Sequence, residues 1–358
     1  MSNTSIITHQ PSVRCTPPIV GELEAIFTTL PDDELLMKLR GPKRRGRPGY
    51  DPRILWRCYA AYYMLGLASV SDLIRMLHDN PYIAAACGIN SSGQIPSQPT
   101  FSRFGTKLAR RPFTLAVKSI MRTLTGRLYE MLPDFGKSVA IDSTHIKGWS
   151  NGNKKGKRGT STTKRQKPKI GKVSDPDAGW VVKQNTEGNV QFVFGYKIHL
   201  LCDTQYELPL VVDVSKGNLH DVKKATPLLA QARYAHKFSP RYVICDSGYS
   251  SDSLRRVIKR QYRATPVIDP NPTHKKAVAR QEDIPGWKTI YKRRTAIERL
   301  NGRLKGFYKL DAVRVRGRGK VRLHALLSVI MLQARALAFP NQLRRCVRAV
   351  SHPLEKAA

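Results

Sequence analysis

Acidic residues are scarce in this chain: 26 Asp and Glu stand against 62 Lys and Arg over 358 residues, a formal net charge of +36. That imbalance runs the length of the sequence and makes a polyanion the natural partner, with nucleic acid foremost. A ribosome-associated or simply basic soluble protein is the plainer alternative, and charge alone does not exclude it. Paired cysteines are missing too. Cys15, Cys58, Cys87, Cys202, Cys245 and Cys346 include no C-x-x-C pair, so no disulfide framework or zinc ribbon is visible and a reducing cytoplasm fits best. The N-terminus, MSNTSIITHQPSVRCTPP, has neither the basic start nor the apolar centre of a signal peptide. The longest apolar stretches, such as Ala325 to Ile330, read as too short and interrupted to span a bilayer. The expectation is a chain with no membrane role that works where DNA is.

What is present suffices for a core, since hydrophobic residues make up 41% of the chain. Residues 1–19 read as a disordered N-terminus and 20–136 as a helical, DNA-binding domain. Asp51 and Pro52 open a core helix, DPRILWRCYAAYYMLGL, with the aspartate as N-cap. Further helices are expected over Ser71–His78, from Gln98 with Thr100 as a cap, and over Phe113–Met131. The basic Gly/Pro segment 41–50 is either a flexible arm on DNA or a solvated linker, two readings of equal weight.

After Gly136 the spacing changes to that of strands. Ser138–Asp142, Val193–Cys202 and Leu208–Val214 are three, the last two joined by a turn over Asp203–Glu207. His220-Asp221 opens a helix; a fourth strand, Tyr242-Val-Ile-Cys-Asp246, precedes a helix over Ser251–Gln261. Ala264–Asp269 is a fifth strand, and Pro266 argues against a central place for it. Helices follow over Tyr291–Phe307 and Val321–Ala338. This order is that of an α/β (α+β) domain, a ribonuclease H-like mixed five-stranded sheet flanked by helices, spanning 137–340 behind the all-α domain. A low-complexity basic loop, 150–172, would follow the first carboxylate strand and touch phosphate backbone, and a basic tail would occupy 341–358.

The chemistry is carried by three acids. Asp142 and Asp246 each end an apolar run, so adjacent strand ends would bring them into one crevice. On a helical wheel Tyr291, Arg294, Glu298 and Lys305 fall within an arc of about 60°, while Ile297, Leu300, Leu304, Phe307 and Tyr308 form a separate apolar face. Glu298 alone would be read as the i, i−4 partner of Arg294. Beside the two aspartates it can complete a cluster. Three close carboxylates repel unless cations stand between them, and hard divalent ions such as Mg²⁺ suit oxygen ligands. Two such ions would bracket a scissile phosphate. His199, His220 and Asp221 lie near this site; the last two are read as helix caps. Trp287 is read as packing on the domain.

The spacing Tyr291-x2-Arg294-x3-Glu298-x6-Lys305, behind Val-Ile-Cys-Asp246-Ser-Gly-Tyr249 and Val-Ala-Ile-Asp142-Ser-Thr-His145, resembles the DDE-type insertion-sequence transposases that carry a Tyr-x2-Arg-x3-Glu-x6-Lys signature. Phe194-Gly-Tyr-Lys-Ile-His-Leu and Gly217-Asn-Leu-His-Asp221 are similar to the family's intervening strand regions, and the likeness runs from about residue 30 to about 340. The resemblance implies a metal-binding catalytic triad of Asp142, Asp246 and Glu298 using two Mg²⁺ ions, with Mn²⁺ able to substitute. It implies contacts from Tyr291, Arg294 and Lys305 to DNA. The partner would be double-stranded DNA, both terminal inverted repeats and target, bound by a homodimer or higher assembly in the cytoplasm at the nucleoid. A structure-specific ribonuclease H-like nuclease and an inactive or repurposed transposase-derived DNA-binding protein are the alternatives. The Tyr/Arg/Glu/Lys line argues against the first and the intact triad against the second.

Overall fold

The computed structural model describes residues 18–41, 49–150, 152, 173–184, 190–236, 238–270, 284–311 and 313–342. The expected N-terminal disorder (except for its last two residues), most of segments 41–50 and 150–172, and nearly all of the C-terminal tail lie outside the described residues, as do Cys15 and Cys346.

Seven helices come first: α1 Pro18–Thr29, α2 Asp33–Arg40, α3 Pro52–Met64, α4 Val70–Asp79, α5 Pro81–Ala86, α6 Gln98–Leu108 and α7 Phe113–Met131. Local chemistry sets several starts. The Asp51 carboxylate accepts from Arg53 N at 2.8 Å behind Pro52, Ser69 Oγ from Asp72 N at 3.1 Å, and Asn80 Oδ1 from Ile83 N at 3.2 Å. Each satisfies a donor that the first turn leaves without a helical acceptor. The expectation for α6 needs correction: Ser97 occupies the N-cap position and Thr100 lies inside the first turn, 3.1 Å from the Ser97 hydroxyl.

The sheet has six strands: β1 Ser138–Lys147, β2 Gly179–Gln184, β3 Val190–Asp203, β4 Pro209–Lys216, β5 Tyr242–Cys245 and β6 Thr265–Ile268. Its order is β2-β3-β1-β5-β6, with β4 also on β3. β1 runs antiparallel to β3 and parallel to β5, and β5 runs parallel to β6. This is the mixed sheet expected, with one strand more. The extra strand, β2, pairs with the start of β3. Its short run, GWVVKQ, gains its identity from that partner. β1 and β3 are also longer than their apolar runs, because each supplies the other's hydrogen bonds past polar residues such as Thr144 and His145. Gly195 is needed where they meet: a Cβ there would sit 2.1 Å from Ile146 O. Pro266 lies on β6 at the sheet edge, as its missing N–H requires.

Helix α8 spans Val222–Ala235 and α9 Asp252–Tyr262. The expected single helix over Tyr291–Phe307 is two, α10 Trp287–Lys292 and α11 Thr295–Gly306. Between them Arg293, Arg294, Ala296 and Ile297 all donate to the residue three back, at 2.9 to 3.1 Å. That tighter 3₁₀ winding breaks the uniform wheel. The last helix, α12 (Arg318–Ala338), is buried along most of its length and packs on α1, α3, α7 and β4, so the helical and sheet parts share one core. By length and composition it is apolar enough to cross a membrane, contrary to the reading of its sequence as too short; 78% of its most apolar window is buried inside the protein. Cys58, Cys87, Cys202 and Cys245 are free and buried.

Candidate active site

Asp142 does not end its strand. It sits in mid-β1, paired with Leu200 of β3, at the point where the other neighbour stops. The last β1–β5 pair is Ile141 with Cys245, and Asp246 follows directly. The two aspartates therefore stand one residue beyond the same rung of adjacent parallel strands. Ligand crevices form at such carboxyl ends. Asp246 is oriented by an Asx turn, its carboxylate accepting from Gly248 N at 3.0 Å.

The electrostatics of the two acids reflect this proximity. Burial, and then the charge of Asp246, push Asp142 up from 3.8 to about 7. Burial raises Asp246 as well, while Arg294 pulls it back. Asp221 raises both. Arg294 is the hub. Burial works against its charge, but Tyr291, Glu298, Asp142 and Asp246 together outweigh this and raise its pKa. Its guanidinium donates to Glu298 Oε1 at 2.6 Å and lies 5.7 Å from the Tyr291 ring centre. The alignment of Tyr291, Arg294 and Glu298 thus survives the helix break.

The expected cluster of three acids is not closed. Among the described residues, no three Asp, Glu, His or Cys side chains converge as a metal cage. Arg294 supplies positive charge here: it bonds Glu298, and its charge pulls both aspartates back down. The pair that the sequence offered as the plain alternative, Arg294 with Glu298, is the one formed. Glu298 keeps 49% side-chain exposure, and exposed pairs of this kind contribute only about 0–1 kcal/mol.

Sequence reasoning missed Asn301, one turn beyond Glu298. It is buried, donates from Nδ2 to Asp142 Oδ2 at 3.1 Å, and its Oδ1 finds no partner among the described residues. Its i+3 spacing from Glu298 was the available signal. Helix α11 is held over the sheet by its apolar face, Ile297, Leu300 and Leu304. Arg299 and Arg303 also bond Glu207 in the β3–β4 turn, at 2.6 and 3.2 Å. Phe307, assigned to the apolar face, is 42% exposed. Lys305 is half-buried, two turns beyond Glu298.

Trp287 packs as expected, stacked on Tyr291 with ring centres 4.7 Å apart and planes at 11°. Tyr291 in turn bonds Asp269 after β6, and burial pushes its hydroxyl up to about 12. Asp221 precedes α8 but makes no side-chain cap; it accepts from the buried Lys197 Nζ at 2.9 Å. His199 is fully buried against Ser215 Oγ at 2.7 Å, and burial holds it down at about 4. It is a core histidine.

An oxygen-lined crevice at the carboxyl ends of parallel strands, in a helix-flanked mixed sheet and a strongly basic chain, fits the ribonuclease H-like fold expected from the sequence. Residues 134–333 match the family model described as a transposase DDE domain, and 20–107 match one described as a transposase domain. The chain belongs to the transposase DDE-domain family. No curated protein matches it. Among solved structures it is similar to the piggyBac transposase synaptic complex with hairpin DNA, at 8% identity and a TM-score of 0.45, over 94% of this chain and 79% of that one.

Proposed function

We propose that this transposase binds the terminal inverted repeats of its own insertion sequence, cleaves DNA there with two divalent ions, and joins the 3′ ends to target DNA. The observation that carries the reading is the placement of Asp142 and Asp246 beyond one rung of β1 and β5, each raised by burial and Asp142 further raised by its neighbour. The donor set fits a hard cation: two carboxylates whose raised pKa values Arg294 only partly offsets and a buried amide oxygen, Asn301 Oδ1, without a partner among the described residues. Mg²⁺ would be held by Asp142, Asp246 and Glu298, with Mn²⁺ able to substitute. When bound, such ions lower the pKa of a coordinated oxygen nucleophile and offset charge on the phosphate.

The chain's own groups do the rest. Asn301 orients Asp142. Glu298 leaves its exposed pair with Arg294 at small cost and turns toward the aspartates, releasing Arg294 to a phosphate. Lys305 binds a phosphate further along the helix, and Tyr291, stiffened by Trp287, contacts DNA at the cleaved end. The protein would pair two ends as a homodimer or higher assembly and act in the cytoplasm, at the nucleoid.

The test is strand cleavage on labelled DNA carrying the gene's flanks, with Mg²⁺ or Mn²⁺. Cutting at the repeat boundary should fall on the order of 10³-fold in Asp142→Ala and in Glu298→Gln, the scale of losing one preorganised electrostatic group. Cleavage that survives both substitutions would show the acids to be misassigned. Tight binding of the repeats with no cleavage by the wild type would mark a DNA-binding protein.

A further inference from the structure

We propose that the groove between α9 and β6 is a second DNA track, holding the phosphate backbone of a duplex without reading its sequence. The inference rests on the transposase reading above but concerns a surface separate from the acids. The groove encloses about 790 Å³ and is lined by Arg255, Arg256, Lys259 and Arg263 of one helix face, with Pro266 and Ile284 opposite and Asp252 the lone acid among its lining residues.

Three features separate it from an ordinary solvated face. It is concave, and a cleft lined by one sign of charge concentrates potential that a convex surface disperses. Its cations also form a continuous row along one side of the helix, with Lys259 in the last turn, where the helix dipole favours positive charge. Leu254, Ile258 and Tyr262 fix the inner face of α9. The adjacent row, Arg255, Lys259 and Arg263, repeats at i, i+4 and i+8, with Arg255 anchored by donating from Nη2 to Ile268 O at 3.0 Å. Finally, the row continues past the helix end. Arg263 adopts a left-handed conformation, φ +51°, at the cap where glycine or asparagine is the usual choice. Successive cations stand roughly 6 Å apart along the axis, an extended line of point charges suited to a phosphate chain.

Helix α9 starts six residues after Asp246, at the carboxyl end of the sheet, and runs to the opposite end. A duplex in the groove therefore leads away from the acids along the sheet edge. This geometry suits flanking or target DNA, which the protein must hold whatever its sequence.

The experiment measures binding of the full chain to a random-sequence DNA duplex and to duplex RNA of the same sequence, between about 50 and 200 mM salt. In the double variant Arg256→Ala/Lys259→Ala the slope of log affinity against log salt for DNA should fall by about 2, close to one for each phosphate that the protein no longer neutralises. The charge-keeping Arg256→Lys/Lys259→Arg pair should restore it. An unchanged slope in the alanine pair overturns the proposal, as does a loss that the charge-keeping pair fails to restore, or one confined to RNA. Wild type that shows the expected slope but cuts no flank-bearing DNA would sustain the groove and sink the enzymatic reading.

Discussion

The two halves of the molecule are stabilised differently. Among the described residues, the helices of residues 18–131 contribute one buried polar side chain, Thr125, while the sheet half buries Asp175, Lys197, His199, Asp203, Asn301 and several more. The helical half is a hydrophobic scaffold, where burial of aliphatic and aromatic side chains offsets chain entropy with little electrostatic cost. The sheet half keeps charged groups out of water, and each must be answered by a partner. Tyr196 answers Asp175, and Tyr206 N and Gly136 N answer Asp203. At Asp142 and Asp246 the answer is incomplete. Perturbed acids that a fold leaves unrelieved cluster at functional sites.

Four measurements would break or sharpen that contrast. The largest effect on stability should come from α12, which both halves share. Leu326→Ala should cost about 2–5 kcal/mol and lower a single unfolding transition in calorimetry. Two transitions, with one of them unmoved, would mean that the halves fold independently.

The next is pH dependence. Asp142 is raised from 3.8 to about 7, so the native state keeps a proton that the unfolded chain releases. Stability is then greatest below the unfolded value and falls as pH rises from about 4 to about 7. Asp142→Asn should remove this contribution and gain on wild type by on the order of a few kcal/mol at pH 8 in urea titrations. Parallel pH profiles for the two proteins would detach Asp142 from the acidic pair.

Asn301→Leu should lower kcat for cleavage about 10–100-fold, the effect of losing a group that orients a metal-binding carboxylate. DNA affinity should stay unchanged, and an equal loss of affinity would assign Asn301 to the DNA surface instead. The smallest effect belongs to the scaffold. Asp51→Ala removes the cap of α3 and should cost about 1 kcal/mol with no change in cleavage.

Much of this architecture could be read from the chain. Phe113–Met131 is a helix to the residue, because its apolar spacing and Pro112 and Pro133 bound it. The edge place of β6 followed from Pro266, and both aspartates were marked by the apolar runs before them. The misses share a cause. β2 lacks a strong pattern and exists because β3 pairs with it. The break at Arg293 comes from where the helix must dock, which a uniform wheel does not contain. Asn301 drew no notice because an uncharged amide gains meaning only beside Asp142.

By itself the sequence determined the helical scaffold, most of the mixed sheet, the acids proposed for the site and the family, since periodicity, capping and spacing are local properties of a chain. The tertiary structure alone decided how those acids are compensated. It set Asp142 in mid-strand at the end of its neighbour, placed Arg294 among the carboxylates, and lined a groove with the cations of α9. Charge interactions depend on separation and burial, and both are fixed only when distant segments meet.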